Sequence, residues 1–491
     1  MYEIGVLVLA LVLLIFLAYR GISLLILAPA LATFAVVATN ELPVLASYTQ
    51  IFMGATGGFI ASFFPLFLLG AIFGKLIEDS GSAEVLANTI IRLLGDDKAI
   101  LAVVLACAVM TYGGVSLFVV AFAVFPIAAA LFAKADLAKR LIPATIALGA
   151  FTFTMSALPG TPAIQNAIPM PFFGTSAFAA PGLGIITGIV MLVLGLLWLQ
   201  HRSRALALEG YSGKGAFQMA PAEPSGAAIA ANRDLREQSA GQGFDLVEVP
   251  TEAPPRDLPS PFVAALPLVL VIVLNFVFTG FVIPALDTSY LALPEFGATD
   301  ISEVRGLWSV IAALVISTLV LVLLNWRRLG GLKASLDSGA NASLLPIFNT
   351  ASLVGFGAVI ASLSAFVTIQ SSVVSLGGDN PLISLAVGVS LLSAMTGSAS
   401  GGMSIALSTM GDTYLALAQA AGIAPELLHR VTAVAAGVLD VLPHNGAIIT
   451  LLAICGLTHR DAYADIAVVA ILLPLVALVV LIVLGTLFGS F

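Results

Sequence analysis

The stretch "LDVLPHNGAIITLL", residues 439–452, sets an Asp, a His and an Asn inside an apolar run and interrupts it with Pro-His-Asn-Gly. In a soluble domain it would read as a turn between two helices. The surroundings exclude that: of 491 residues 60% are hydrophobic and 9% charged, and the mean hydropathy is +1.10. That is the composition of a polytopic membrane protein. An unpaired backbone N–H or C=O in hydrocarbon costs several kcal/mol, so a broken backbone persists there only where protein, water or solute satisfies it.

A spanning helix needs about 20 apolar residues. The rule picks out 3–19, 22–39, 54–77, 141–168, 182–200, 260–284, 306–325, 345–375, 430–456 and 464–489, which makes about ten transmembrane helices in an all-α protein. Two more apolar stretches, 99–133 and 381–418, carry small polar centres, "TYGGVS" (111–116) and "MTGSASGGMS" (395–404). Their arms are too short to cross, so each is expected to be a re-entrant helical hairpin. The N-terminus, "MYEIGVLVLALVLLIFLAYR", lacks the basic start and small-residue cleavage site of a secretory signal and reads as a retained first span.

With ten crossings, every Lys and Arg except Arg305 and Arg430 falls on one face, which the positive-inside rule makes cytoplasmic. Both termini then lie outside. Trp198, Trp308 and Trp326 sit at expected span ends, where indole rings favour the interface. The net charge of -8 comes with no basic face for nucleic acid. Cys107 and Cys455 lie in apolar runs and form no metal-ligand pattern, so neither a disulfide, a metal nor a cofactor is expected.

Residues 201–259, rich in Pro, Ala, Gly and mixed charge, read as a cytoplasmic linker between residues 1–200 and 260–491. The two halves share a layout. Gly113 and Pro159 are 46 residues apart, as are Gly397 and Pro443, and one offset of 284 aligns Gly113 with Gly397, Ser116 with Ser400 and Leu158-Pro159 with Leu442-Pro443. Five crossings per half make the repeats inverted, with broken helices over 141–168 and 430–456 at their interface, as in secondary transporters.

Four breaks therefore form the expected site: the two hairpin tips, "ALPGTPAIQNAIP" (157–169) and "LPHNGA" (442–447). Gly113 and Gly114 allow close backbone approach, and Ser116, Thr396, Ser398 and Ser400 supply hydroxyls. Small residues also serve simply to pack membrane helices. Thr161, Gln165, Asn166 and Asn445 offer neutral contacts to a carboxylate or hydroxyl, or else satisfy the breaks themselves. No Lys or Arg occurs in the four breaks, so an anion is expected to be held by helix N-termini and neutral donors. Asp440 and His444, spaced i, i+4 on an expected helix, form the candidate proton-coupling pair, with a structural hydrogen bond as the alternative.

The motifs "YGGVSLFVVAFAVFPIA" (112–128), "TMSALPGTPAIQNAIPMPFFGT" (154–175), "GSASGGMSIAL" (397–407) and "LDVLPHNGAIITLL" (439–452) resemble the gluconate:proton symporter (GntP) family of the ion transporter superfamily. The resemblance covers nearly the whole chain outside 201–259. It implies proton-coupled uptake, across the inner membrane, of small hydroxy-carboxylate anions such as gluconate, related sugar acids or 3-hydroxybutyrate. It also implies an elevator-like movement and a homodimer. Sodium coupling is the alternative within transport, since hydroxyl and amide oxygens also ligate that ion. An intramembrane hydrolase is the alternative from another class; "TGSASGG" (396–402) departs from the G-x-S-x-G nucleophile pattern. A passive channel is less compatible with hairpins entering from opposite faces.

Overall fold

The computed structural model describes residues 2–20, 22–95, 98–211, 257–378, 380–443 and 445–491. Most of the linker, 212–256, thus lies outside the described residues, as does His444. The described residues fold into helices alone. They begin with α1 (Tyr2–Tyr19) and α2 (Leu24–Thr39), which pack on each other, followed by the long α3 (Val44–Asp79). Next come α4 (Ser82–Leu94), the pair α5 (Ala99–Tyr112) and α6 (Leu117–Lys134), and the short pieces α7 (Ile142–Ala150), α8 (Phe153–Ser156), α9 (Ile164–Ala167) and α10 (Pro169–Phe173). Helix α11 (Pro181–Ala205) completes the first half.

The second half opens with α12 (Pro261–Ala285), α13 (Ile301–Asn325) and α14 (Leu332–Ala361), then α15 (Ser364–Ser375). The pair α16 (Pro381–Thr396) and α17 (Ala399–Ala420) leads to α18 (Pro425–Val438), α19 (Gly446–Cys455) and α20 (His459–Phe488). Adding 284 to the bounds of α5 gives 383–396, beside α16, and adding it to α6 gives 401–418, inside α17.

Six of these helices, α3, α11, α12, α13, α14 and α20, are long and apolar enough to cross a membrane alone. The remaining expected crossings are built from shorter helices. Two departures have local causes. The expected span 345–375 is two helices, because α14 starts at Leu332 and stops at Ala361, where the Glu41 carboxylate accepts from the Ser364 N–H at 2.8 Å and starts α15 anew. An apolar window missed the first turns of α14 because Lys333 and Asp337 sit there. Helix α4 was missed for a similar reason: Glu84 and Arg92 interrupt its hydropathy while Val85, Leu86 and Ile91 are buried.

Helices α3 and α14 cross in intimate contact. A Cβ added at Gly339 would stand 2.7 Å from the Ile72 Cα, and one at Gly355 would stand 2.8 Å from the Phe52 carbonyl oxygen. Small residues are what lets two helix backbones approach this closely. Against this crossing pack α2, α13, and the two helical hairpins, which are themselves backed by α7 and α18. The two hairpin tips and the first broken segment end beside it, sharing a wall with α3 and α14.

Candidate substrate site

A cavity of about 230 Å3 opens where these pieces meet. Its walls come from the first tip (Thr111, Gly114, Ser116), the first break (Pro162, Gln165) and the second tip (Ser398, Ser400), closed by Leu66 and Phe67 of α3 and by Ser343, Asn349 and Thr350 of α14. None of the described residues lining it carries a charge. Helices α6 and α17, of 18 and 22 residues, both begin at its wall, so two helix N-termini with their partial positive charge converge on it.

The tips owe their shape to local sequence. Gly397 ends α16 with φ 61°, in the left-handed region, and Ser398 restarts the chain by accepting from the Gly401 N–H at 3.1 Å, an N-cap for α17. Ser398 and Ser400 hydroxyls bond each other at 3.2 Å. In the first tip Gly114 has φ 94°, and a Cβ there would meet the Pro162 ring at 2.8 Å. Only glycine suits that position, which lets the first tip touch the first break.

The second break is tied to the second tip. The Asn445 side chain accepts from the Ala447 N–H at 2.6 Å, capping α19, while its Nδ2 donates to the Gly397 carbonyl at 2.9 Å and to the Asp440 carboxylate at 3.0 Å. Asp440 also accepts from the Ala399 N–H, placing a carboxylate at the start of α17. The expectation of an i, i+4 pair on one helix needs correction. Helix α18 ends at Val438, so Asp440 stands in the break itself and not on a helix.

The first break is held from across the chain. Asn166 Nδ2 donates to the Thr161 and Ala177 carbonyls, both at 3.0 Å. Its Oδ1 faces His429 Nε2 at 3.2 Å and accepts from Arg430 at 3.1 Å. Arg430, on α18, is fully buried and donates further to the carbonyls of Ser156, Ala177 and Ala179, the last at 2.7 Å. Thus the expectation that Arg430 lies at an outer face fails. The breaks carry no basic residue in sequence, yet a guanidinium reaches into one of them in space. Among the described residues none of its partners is a carboxylate; the five bonds go to neutral oxygens.

The orphan carbonyls of the two equivalent prolines find different partners. Tyr112 donates its hydroxyl to Pro159 O at 2.6 Å, and His459 Nε2 lies 2.8 Å from Pro443 O. Both contacts supply the donor that a broken helix lacks.

Of the residues expected in the site, Gly114, Ser116, Gln165, Ser398 and Ser400 line the cavity together. Gly113 instead lies against Leu268, and Thr161, Asn166, Thr396 and Asn445 are buried behind the wall, bonded to backbone that the breaks expose. Sequence reasoning missed Thr111, Asn349 and Thr350, and it missed Arg430 as a partner of the break. The signal for Asn349 was present in "LLPIFNTASL" (344–353), where Pro, Asn and Thr interrupt an apolar helix.

A membrane protein whose helical hairpins and first broken helix converge on an uncharged cavity has the build of a secondary transporter. Comparison with known proteins agrees. A model of the GntP family permease matches residues 1–210. The uncharacterized transporter YxjC of Bacillus subtilis (strain 168) is 45% identical over 475 residues, which is 96% of each chain. An uncharacterized transporter of Haemophilus influenzae is 32% identical over 151 residues, covering 30% of this chain and 35% of its own. Among solved structures, the YdaH transporter of Alcanivorax borkumensis has a TM-score of 0.54 at 16% identity, covering 90% of this chain and 89% of that one. MtrF of Neisseria gonorrhoeae, described as illuminating a class of antimetabolite efflux pumps, has a TM-score of 0.50 at 12% identity, covering 91% and 84%. Likeness at that identity speaks for the fold alone. The chain belongs to the GntP permease family.

Proposed function

We propose that this permease brings small hydroxy-carboxylate anions into the cytoplasm in symport with protons, by an elevator-type movement of the hairpins and breaks against the crossing of α3 and α14. The observation that carries the reading is the cavity: two helix N-termini and neutral hydroxyls around a volume of about 230 Å3, with no acidic side chain on its wall. That volume falls below the roughly 300 Å3 at which drug-sized pockets begin, which suits a small metabolite. Arg430, bonded to Ser156 and Asn166 directly behind the lining residues Met155 and Gln165, adds a fixed positive charge that favours an anion.

In this reading Asp440 carries the coupling. Its carboxylate grips the second tip through the Ala399 N–H and Asn445, so gaining a proton loosens the tip that also contributes Ser398 and Ser400 to the cavity. His444 is the proposed second member of the proton path. The inverted relation of the halves, the inner-membrane location with both termini outside and 201–259 cytoplasmic, and a homodimer belong to the same proposal.

Purified protein in proteoliposomes, offered radiolabelled gluconate, 3-hydroxybutyrate and glycerate under an imposed proton gradient with and without sodium, tests it. Accumulation above equilibrium without sodium is expected. Accumulation only with sodium replaces the coupling ion, and no carboxylate accumulation in either direction refutes the function.

A further inference from the structure

Asn349 is 4% exposed, stands in the cavity wall midway along α14, and among the described residues neither its Nδ2 nor its Oδ1 has a hydrogen-bond partner. Thr111 in the first tip, also 4% exposed and also in the wall, has an unpartnered hydroxyl. Each buried polar group left unmet costs about 1–3 kcal/mol, and native proteins rarely keep one without a role. A helical Asn can bond a carbonyl one turn back, and here it does not. Three residues before it, Pro346 lacks the N–H that would bond the Ala342 carbonyl, and Ala342 and Pro346 both line the cavity too. This face of α14 therefore presents an unpaired donor and acceptor beside a carbonyl whose i+4 residue is a proline without an N–H.

The second tip, whose Gly401 packs against Leu353 of α14, is different. It offers the Ser398 and Ser400 hydroxyls, bonded to each other beside an α17 N-terminus whose Ala399 N–H already meets Asp440, and hydroxyl donors suit a carboxylate, which only accepts. A hydroxyl group both donates and accepts, and a side-chain amide matches it with both functions on one planar group. The terminal torsion of Asn is broad, so the amide turns toward a solute at little cost. We infer that Asn349 reads a hydroxyl on the substrate, so that α14 distinguishes hydroxy acids from plain carboxylates while the tips hold the carboxylate. The inference rests on the proposed carboxylate function and deepens it. The discrimination comes from what a deoxy acid leaves behind: a filled, water-poor cavity with the amide still unmet.

The test compares 3-hydroxybutyrate with butyrate as competitors of uptake in proteoliposomes, for the wild type and Asn349→Leu. The wild type should prefer the hydroxy acid by at least about tenfold, and Asn349→Leu should bring the two within about threefold by weakening the hydroxy acid only. Since the leucine removes polar atoms that no described residue meets, its melting temperature without substrate should hold or rise. A variant that keeps the wild-type preference overturns the inference, as does one that melts lower or fails to fold, because the amide then serves the protein rather than the solute. A wild type that transports both acids equally also overturns it while leaving the carboxylate function standing. A wild type that takes neither acid nor any other carboxylate removes the proposed function itself.

Discussion

Replacing Arg430 separates two effects of one buried cation. In Arg430→Met the Ser156 and Ala179 carbonyls lose the guanidinium, whereas Ala177 O keeps the Gly160 N–H and Asn166 Nδ2, and Asn166 Oδ1 keeps His429. Two newly unmet carbonyls at about 1–3 kcal/mol each put the loss of stability at roughly 2–6 kcal/mol. The charge has its own effect. Its partners Ser156 and Asn166 are the sequence neighbours of the wall residues Met155 and Gln165, and at an effective dielectric near 20 a unit charge about 8 Å from an anion stabilises it by about 2 kcal/mol. That corresponds to roughly 30-fold in affinity. Arg430→Lys keeps the charge but not the fork, so it should lose stability while retaining most of the affinity. Fluorimetric melting in detergent reads the first quantity, and half-saturating concentration of a labelled acid in proteoliposomes reads the second. Equal affinity in the Lys and Met variants would refute the electrostatic part. Wild-type melting in both would refute the claim that Arg430 holds the first break.

Other expectations are more local. A Cβ at Gly402 would run into the backbone of Ser393 and Leu392, forcing α16 and α17 apart, so Gly402→Ala should cost at least about 1–3 kcal/mol; normal yield, melting and uptake would show that the close approach is dispensable. Asp440→Asn should abolish accumulation driven by a proton gradient yet leave substrate exchange, measured as counterflow; accumulation at the wild-type level would exclude Asp440 from coupling. Ser116→Ala and Ser400→Ala each remove a hydroxyl from the cavity wall and should raise the half-saturating concentration about 2- to 12-fold, the equivalent of about 0.5–1.5 kcal/mol, with maximal rate kept. Unchanged saturation curves for both would take the tips' hydroxyls out of substrate binding.

What was legible in the chain is what depends on neighbouring residues. Apolar length marks a span, and Gly, Pro, Ser and Asn clusters mark where a helix must stop, because φ, the missing proline N–H and N-capping are local properties. The offset of 284 carried these marks from one half to the other. Gly114, Ser116, Gln165, Ser398 and Ser400 were found this way, and they do share one cavity.

The rest depended on distance in sequence. Arg430 meets acceptors 251–274 residues away, and nothing near "ELLHRVTAVA" (426–435) announces that a guanidinium will be wrapped by the opposite half's broken backbone. Asn349 is unmet only because of what α3, the first break and the second tip leave around it. Asp440 was recognised as unusual from sequence, but its helix ended two residues earlier than the spacing assumed, so its partners became the second tip rather than a helical neighbour. The sequence by itself determined where the backbone breaks, since breaking is a matter of adjacent dihedrals and caps. Which donors answer those breaks, and which are left over for a solute, was decided only when the two halves packed together.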